Sequence, residues 1–301
     1  MNLNEEYLNN VYEINIANNY SINKLSNTEF NSTLNDEEIR RLIFLSSNKS
    51  NIFNGSAVRL DKIENIENQI SLHLSEVSFF DFMTSNMVYM SYNNLISKLE
   101  KDYNAKEDVV LLNKVKNNIE DKGIPDSFDS VLINKGLANI IAISVLVEDS
   151  IGNYGLVRRT SNLAIGSNLL SVTVTGSIDG IDFQENNPIL SCVKRELKEE
   201  INIEVEKIEF NSIAISKKKL QPIFILNCKI PQKWDDIIHL VKKADDYQKE
   251  IKEFYSIPKE FVIDFIEDEH LTDAGKYHLN KVINSCGIIS EKCKNKKQFK
   301  L

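Results

Sequence analysis

Hydrophobic and polar residues follow two rhythms along the first half of the chain, and each rhythm predicts a kind of element. Apolar residues spaced three or four apart predict helices, and strict alternation predicts strands. Residues 3–50 are expected to be largely helical, with a predicted helix at 36–45, and a second helix is predicted over residues 105–122. The predicted strands span residues 58–63 and 69–77, and residues 64–68 join them as a hairpin.

The second half of the chain contains longer apolar runs that predict buried strands. The predicted strands span residues 137–147, 156–160, 205–215 and 220–228. The last two are joined through a turn of three lysines, for which a solvated turn is the favoured interpretation over a phosphate contact. Residues 234–254 are amphipathic and charged, which predicts a helix over much of their length, and residues 272–283 predict a final helix capped by Thr272.

A break in this pattern divides the chain. Gly123 and Pro125 stop the helix at 105–122, and a polar stretch follows. We therefore predict an α/β (α+β) fold with a small N-terminal α+β domain over residues 1–133. A second domain is predicted over residues 134–286 and a basic, frayed tail over residues 287–301. An aromatic and Met-rich patch between Phe79 and Tyr89 is expected to form core or an interdomain seam.

Composition narrows the functional classes. The chain has 301 residues, of which 42% are hydrophobic and 27% charged, as in ordinary folded proteins. A net charge of −8 argues against general affinity for duplex nucleic acid. The four cysteines are widely scattered and include no Cys-x-x-Cys pair, which argues against a zinc site and against a disulfide framework. We therefore predict that they are reduced thiols. They are Cys192, Cys228, Cys286 and Cys293.

The chain also lacks the features expected of an exported or membrane protein. Residues 1–20 are polar and acidic, without the basic and apolar regions of a signal peptide. The longest apolar run, residues 137–147, is too short to cross a bilayer. We therefore predict a cytoplasmic protein with no membrane partner.

Carboxylates cluster on a helix predicted to begin near Ile189 and to end at Asn202. On a helix, Glu196, Glu199 and Glu200 project from one face beside an apolar stripe. For an isolated helix, a solvated acidic face is the commoner explanation. A hard divalent cation such as Mg²⁺ is the alternative, because it prefers carboxylate oxygen and relieves their repulsion.

The context of this helix favours the cation. A glycine-containing segment over residues 173–180 precedes it, and a cluster follows that comprises Arg195, Glu196, Leu197, Glu199, Glu200 and Ile203. Loop, helix and cluster together resemble the Nudix box, whose pattern is Gly-x5-Glu-x7-Arg-Glu-U-x-Glu-Glu-x-Gly-U, where U is a bulky aliphatic residue. The resemblance extends over residues 137–265.

Two positions depart from the family pattern. Counting back from Arg195 places Asn187 where the family has Glu, and the nearest carboxylate is Glu185. This change is expected to weaken the support around Arg195 unless Glu185 compensates. Asn202 replaces the final Gly, and Asn is the next-best residue for the left-handed conformation that often follows a helix.

The resemblance implies a mixed sheet sandwiched between helices and metal-dependent hydrolysis of a phosphoanhydride bond. Glu196, Glu199 and Glu200 would hold Mg²⁺, with Mn²⁺ as an alternative ion, and Arg195 would orient a glutamate. The implied small-molecule substrate is a nucleoside diphosphate linked to another moiety.

The resemblance also implies two further roles. Arg158 or Arg159 would bind the phosphates, although surface charge on an edge strand explains either arginine equally well. Glu196, or a distal carboxylate such as Glu250 or Asp246, would accept the proton of the attacking water.

A second functional class stays open at this point. Asn187 in the glutamate position also suits a Nudix-fold nucleotide-binding sensor that has lost efficient catalysis and acts through a protein partner. A place in a nucleotide-signalling or anti-phage system is a weaker alternative. The exposed aromatic patch would allow a homodimer.

Overall fold

The structure is a computed structural model that describes residues 11–15, 20–47, 53–67, 69–99, 105–161, 163, 166–267, 270–286 and 296–301. The strands are β1 (Val11–Asn15), β2 (Tyr20–Lys24), β3 (Ser56–Ile66), β4 (Gln69–Ser78), β5 (Ala142–Glu148), β6 (Asn153–Arg159), β7 (Leu170–Val172), β8 (Val174–Ser177), β9 (Ile208–Ser216), β10 (Pro222–Lys229) and β11 (Ile251–Pro258).

Helices occupy much of the remaining described chain. They are α1 (Asp36–Ser47), α2 (Phe79–Phe82), α3 (Val88–Leu99), α4 (Lys106–Glu120), α5 (Phe128–Ile133), α6 (Gly180–Gln184), α7 (Pro188–Ile201), α8 (Trp234–Val241), α9 (Tyr247–Glu250), α10 (Val262–Ile266) and α11 (Asp273–Cys286). A π-helix, Met83–Met87, connects α2 to α3, and short 3-10 helices lie at Lys259–Phe261 and Lys296–Phe299.

Within the described residues, eight strands form one large mixed sheet. Its main order is β1-β9-β10-β5-β6-β11, while β7 pairs with β6 and β8 with β5. Strands β5 and β10 run parallel, with Ala142 opposite Ile223, and β9 and β10 run antiparallel. This architecture confirms the predicted α/β class.

The two faces of the large sheet pack against different helices because successive side chains of a strand point in opposite directions. Ile143 and Val145 of β5 belong to the apolar cluster that contains the buried face of α7. On the other face, Ser144 bonds to His278 of α11, with 3.0 Å between Oγ and Nδ1. The predicted sandwich of a sheet between helices is thereby confirmed.

The N-terminal part of the chain contains a second sheet of order β2-β4-β3 within the described residues. Strands β3 and β4 form the predicted hairpin. The helical prediction for residues 3–50 is wrong at β1 and β2, and its parts at 3–10, 16–19 and 48–50 lie outside the described residues. Both segments are short and polar, so their strand character comes from pairing with β9 and β4 and not from local pattern. Helix α1 is confirmed, with Asn35 Oδ1 accepting from Glu38 N at 3.0 Å.

The aromatic and Met-rich patch packs between the N-terminal part and the large sheet. Phe82 and Met83 are buried, and Phe82 clusters with Ala57, Ala138 and Ile140. The patch therefore contributes to the core, one of the two outcomes expected, whereas an interdomain seam stays a prediction together with the domain limits. The pairing of β1 with β9 shows that an N-terminal strand belongs to the large sheet.

Other predicted elements are confirmed with changed limits. Strand β5 begins at Ala142, five residues later than predicted. The helix predicted over residues 234–254 is wrong after Glu250, where β11 pairs with β6 as an edge strand of the large sheet. Thr272 caps α11 as predicted, with its Oγ1 accepting from Gly275 N at 3.1 Å.

The end of the chain differs from the frayed tail expected. Leu301 N donates to Phe254 O at 2.9 Å, and the Phe299 ring lies 5.2 Å from that of Phe261. Residues 296–301 therefore pack against the large sheet, whereas residues 287–295 lie outside the described part.

Cys192 and Cys228 are buried free thiols. Across the described ranges, no helix combines the length and apolar character needed to cross a membrane.

Candidate functional site

Helix α7 has clear signals at both ends. Asn187 caps its start by accepting from Leu190 N at 3.1 Å, and Pro188 occupies the first turn. The buried face consists of Ile189, Cys192, Val193, Leu197 and Ile201. Asn202 ends the helix in the left-handed conformation, with φ 53° and ψ 41°, as predicted. The apolar face fixes the rotation of the helix and hence the direction of its carboxylates.

The three predicted metal-binding glutamates differ strongly in burial. Glu200 is 2% exposed, and the side chains of Glu196 and Glu199 are 12% and 39% exposed. Glu196 lines a cavity of about 360 Å³, together with Glu250 at the end of α9. Helix α7 therefore places Glu196 in the cavity, Glu200 in the protein interior and Glu199 nearer to solvent.

Burial dominates the titration of these groups. It raises the pKa of Glu196 to about 7, and the charges of Glu250 and Glu199 add to the effect against the opposing charge of Arg195. Burial likewise raises the pKa of Glu200, reinforced by Glu196 and Glu250, and it raises the pKa of Glu250 itself. Neighbouring carboxylates thus disfavour one another's ionised form.

Arg195 lies among carboxylates and contacts several of them. Its Nη2 donates to Asp182 Oδ2 at 2.8 Å, and its Nη1 reaches Glu196 at 2.9 Å and Glu199 at 3.0 Å. Asp182 is 1% exposed and also accepts from Ser191 Oγ at 2.9 Å. The guanidinium is thereby held by Asp182 and can orient both glutamates.

Asp182 corrects the expected register of the motif. Asn187 donates to the Tyr20 hydroxyl at 2.9 Å, and Glu185 is exposed, so the support expected to be weakened at Asn187 comes from Asp182 and not from Glu185. The missed signal is the forward count from Gly176, where five residues lead to Asp182. Twelve residues, not seven, then separate Asp182 from Arg195. A longer connection between α6 and α7 accommodates the difference.

The two candidate arginines of β6 point to opposite faces. Arg159 lines the cavity, where its Nη1 donates to Thr175 Oγ1 at 2.7 Å and its Nη2 lies 3.6 Å from Glu250. Arg158 pairs with Glu253, with 3.3 Å between Nε and Oε2. The structure therefore brings Arg159 to the cavity together with Glu196 and Glu250, and it does not bring Arg158 there.

Asp246 takes no direct part in the cavity lining. Its carboxylate pairs with Lys249, and its backbone N donates to Glu199 O at 2.9 Å. This backbone bond fastens the start of α9 to α7. It explains how Glu250, one helical turn later, is carried to the cavity.

Phe79 and Lys219 line the cavity, although neither was a favoured site residue in the sequence. Phe79 comes from the start of α2, and Lys219 comes from the lysine turn that was interpreted as solvated. Burial lowers the pKa of Lys219, and the nearby charge of Arg159 adds to the effect. Nothing in a run of three lysines distinguishes the one that faces inward.

The donor set fits a hard divalent cation in its chemistry. Among the described residues, no three carboxylate, imidazole or thiol groups converge as a formed metal centre, and Arg195 pairs with Glu196 and Glu199. Glu200 Oε1, however, is buried and has no hydrogen-bond partner within that part of the chain. Buried carboxylate oxygens with raised pKa values and an unsatisfied acceptor are ligands that Mg²⁺ would stabilise.

Comparisons with known proteins give partial structural similarities. No family model matches the chain, and no curated protein matches it. DR0079 from Deinococcus radiodurans is 14% identical over 49% of this chain and 82% of its own, with a TM-score of 0.36. Tm1382, provisionally described as a Nudix hydrolase, is 14% identical over 49% of this chain and 72% of its own, with a TM-score of 0.36. The MutT protein from Methanosarcina mazei Go1 is 14% identical over 49% of this chain and 94% of its own, with a TM-score of 0.35.

Proposed function

We propose that the chain is a metal-dependent hydrolase that cleaves a phosphoanhydride bond in a nucleoside diphosphate linked to another moiety. The observation that carries this proposal is that Glu196 and Glu250 line one cavity, while the buried Glu200 lies near enough for their charges to raise its pKa. Buried carboxylates that raise one another's pKa are costly to fold. A function that uses a cation accounts for that cost, whereas a purely structural role does not.

The side chains divide the work as follows. Glu196 and Glu200 would hold Mg²⁺, with Glu199 joining them from the more exposed side. When bound, the cation neutralises phosphate charge and lowers the pKa of a coordinated water. Arg195, anchored by Asp182, orients Glu196 and Glu199.

Glu250 is the preferred general base. It lines the cavity opposite α7, and burial raises its pKa. A carboxylate whose pKa is raised toward neutrality accepts a proton more readily. Arg159, whose guanidinium lies 3.6 Å from Glu250, is placed to bind a phosphate beside the base. Glu196, with a pKa of about 7, is the alternative base.

The test is a screen of nucleotide sugars, dinucleotides and nucleoside triphosphates with and without Mg²⁺, with identification of products. The double variant Glu199→Gln, Glu200→Gln should lose Mg²⁺-dependent turnover and keep its circular dichroism spectrum. Glu204→Gln, whose side chain is 87% exposed just after α7, is the matched control. Unchanged turnover in the double variant contradicts the proposal.

A nucleotide-binding sensor is the second candidate function. The observation that favours it is the pairing of Arg195 with Glu196 and Glu199, which satisfies two prospective ligands without a cation. Such a protein would bind nucleotides and signal to a partner without efficient hydrolysis. Hydrolysis of any substrate in the screen at ordinary enzymic rates, about 1–1000 per second, rejects this candidate.

A further inference from the structure

The turn between β9 and β10 sends its three lysines in different directions. Lys217 Nζ lies 4.9 Å from the ring centroid of Tyr12. Lys218 Nζ pairs with Asp273 at 3.0 Å. Lys219 lines the cavity that contains Glu196 and Glu250. One of three neighbouring ammonium groups is thus directed at the proposed active site.

Lys219 shares the cavity with a second cation. Arg159 lines the same space. Burial lowers the pKa of Lys219, and the charge of Arg159 adds to this effect against the opposing charge of Asp273. Among the described carboxylates, none forms an ion pair with Lys219. Lys219 is partly buried, and an ammonium beside a guanidinium attracts an anion to the space between them. Phosphate groups satisfy both cations through charge-assisted hydrogen bonds.

The backbone beside Lys219 adopts an unusual conformation. Leu220 has φ 51°, a region that costs about 1–2 kcal/mol for a residue other than glycine. It is buried, and its N donates to Ser216 O at 2.8 Å. Its carbonyl accepts from Asn86 Nδ2 at 2.9 Å. The strained turn is therefore fastened from outside the β9–β10 hairpin.

Asn86 is itself tightly fixed. It is fully buried and lies in the π-helix Met83–Met87, a rare conformation that is frequent at functional sites. Its Oδ1 accepts from Ala138 N at 3.0 Å and from Asn139 N at 3.3 Å. One amide group thus joins the π-helix, the approach to β5 and the lysine turn.

We infer that Lys219 and Arg159 together form a binding site for the phosphate groups of an anionic ligand, and that Asn86 is the positioning residue that fixes Lys219 there. The inference rests on the proposed function for the location of the substrate, and it adds the residues that bind its phosphates. It makes the N-terminal part of the chain a component of the site.

The binding test uses inorganic pyrophosphate with EDTA, so that no cation takes part, and measures the dissociation constant by calorimetry. Lys219→Met should weaken binding about tenfold, as expected for the loss of a charge-assisted hydrogen bond. Lys218→Met is the matched control and should bind as the unmodified protein does. No pyrophosphate binding, or equal binding by Lys219→Met, overturns the inference.

The positioning role is tested with a double-mutant cycle. Asn86→Ala should weaken pyrophosphate binding to the same extent as Lys219→Met, and the double variant should lose nothing further. Additive losses mean that Asn86 affects binding independently of Lys219, and unchanged binding in Asn86→Ala means that it has no effect on the site; either result contradicts the positioning role. Should Asn86→Ala fail to fold, Leu220→Gly replaces it in the cycle, because it frees the same turn.

The outcomes also separate this inference from the proposed function. Lys219-dependent pyrophosphate binding without hydrolysis in the Mg²⁺ screen supports the inference and rejects the enzyme. Mg²⁺-dependent hydrolysis with an unchanged KM in Lys219→Met supports the enzyme and rejects the inference.

Discussion

At the scale of single residues, one guanidinium organises the acidic helix. Arg195 contacts Asp182 on one side and Glu196 and Glu199 on the other. Asp182 is buried, so its charge depends on Arg195 and on Ser191 for stabilisation. The orientation of Glu196 and Glu199 therefore depends, through Arg195, on a residue outside α7.

Replacing Asp182 tests this dependence. Asp182→Asn should lower the free energy of unfolding by about 2–3 kcal/mol, because it removes one partner of a mostly buried ion pair. It should also lower kcat, because Arg195 would no longer be held in the position from which it orients Glu196 and Glu199. Urea titration and steady-state kinetics measure the two effects. The exposed Glu185→Gln is the control, and an equal effect of both changes would show that Asp182 has no special role.

Gly176 tests the space around Glu196. A Cβ atom at this position would overlap the Glu196 carboxylate, so Gly176→Ala should push that group from its place and reduce kcat at least about tenfold, or 1.4 kcal/mol in the barrier. Gly55→Ala is the control, because its Cβ would meet only the Phe53 ring, at 3.8 Å. Full activity in Gly176→Ala would mean that the observed Glu196 position is not required.

At the scale of elements, α11 is attached to the large sheet through a buried polar chain. His278 Nδ1 lies 3.0 Å from Ser144 Oγ, and its Nε2 lies 2.9 Å from Asn227 Oδ1. A neutral imidazole that donates through Nε2 and accepts through Nδ1 satisfies both contacts. Burial lowers the pKa of His278 to about 3. The packing of α11 against the sheet therefore requires a neutral His278 and disfavours its protonated form.

Acid should loosen this contact. The folded-state pKa of His278 lies below the ordinary value of 6.5, so its contribution to stability is complete above pH 6.5 and is lost as the pH falls. Between about pH 6.5 and pH 5 the loss should reach about 2 kcal/mol, at 1.4 kcal/mol per pKa unit. Urea titrations across this range measure it. His278→Gln should remove most of the slope, and an unchanged slope assigns the acid sensitivity to other groups.

At the scale of the whole molecule, the N-terminal part of the chain contributes strands to both sheets. Strand β1 precedes the three-stranded sheet in sequence but forms an edge of the large one, with Val11 opposite Ser216 just before the lysine turn. Asn86 adds a second connection through Leu220. The N-terminal part is therefore joined to the proposed active site at two places near the same turn.

The predicted second domain can be tested as a fragment. Residues 134–286 lack β1 and Asn86, which leaves β9 as an unpaired edge. The fragment should unfold at lower urea concentration than the full chain and should self-associate in size-exclusion chromatography. Deleting residues 1–15 alone isolates the contribution of β1. A monomeric fragment as stable as the full chain would support the predicted boundary and contradict a structural role for these contacts.

Sequence patterns predicted the elements whose signal is local. Helix α7 was identifiable from its apolar spacing and Asn202, and the β3–β4 hairpin from its alternation. Strand β1 was not, because its conformation is decided by pairing across some 200 residues. Strand β11 was mistaken for the end of a helix, because the charged and amphipathic pattern of residues 234–250 continues into it and its partner β6 lies far earlier in the chain.

The site was partly predictable for the same reason. Glu196 and Glu250 were among the candidates because one lies in a local motif and the other follows it in a charged segment. Asp182 escaped because a fixed count from Arg195 does not allow for a longer connection. Lys219 and Phe79 reach the cavity through tertiary packing, and no local pattern carries that information.

The π-helix Met83–Met87 has a consequence for chain length. A helical residue advances the rotation by about 100°, so deleting one residue between Phe79 and α3 would turn one end of this segment relative to the other. Phe79 at the cavity and Asn86 at Leu220 could not then both keep their places. Natural variants of this chain should accordingly tolerate substitutions in the segment far more readily than insertions or deletions.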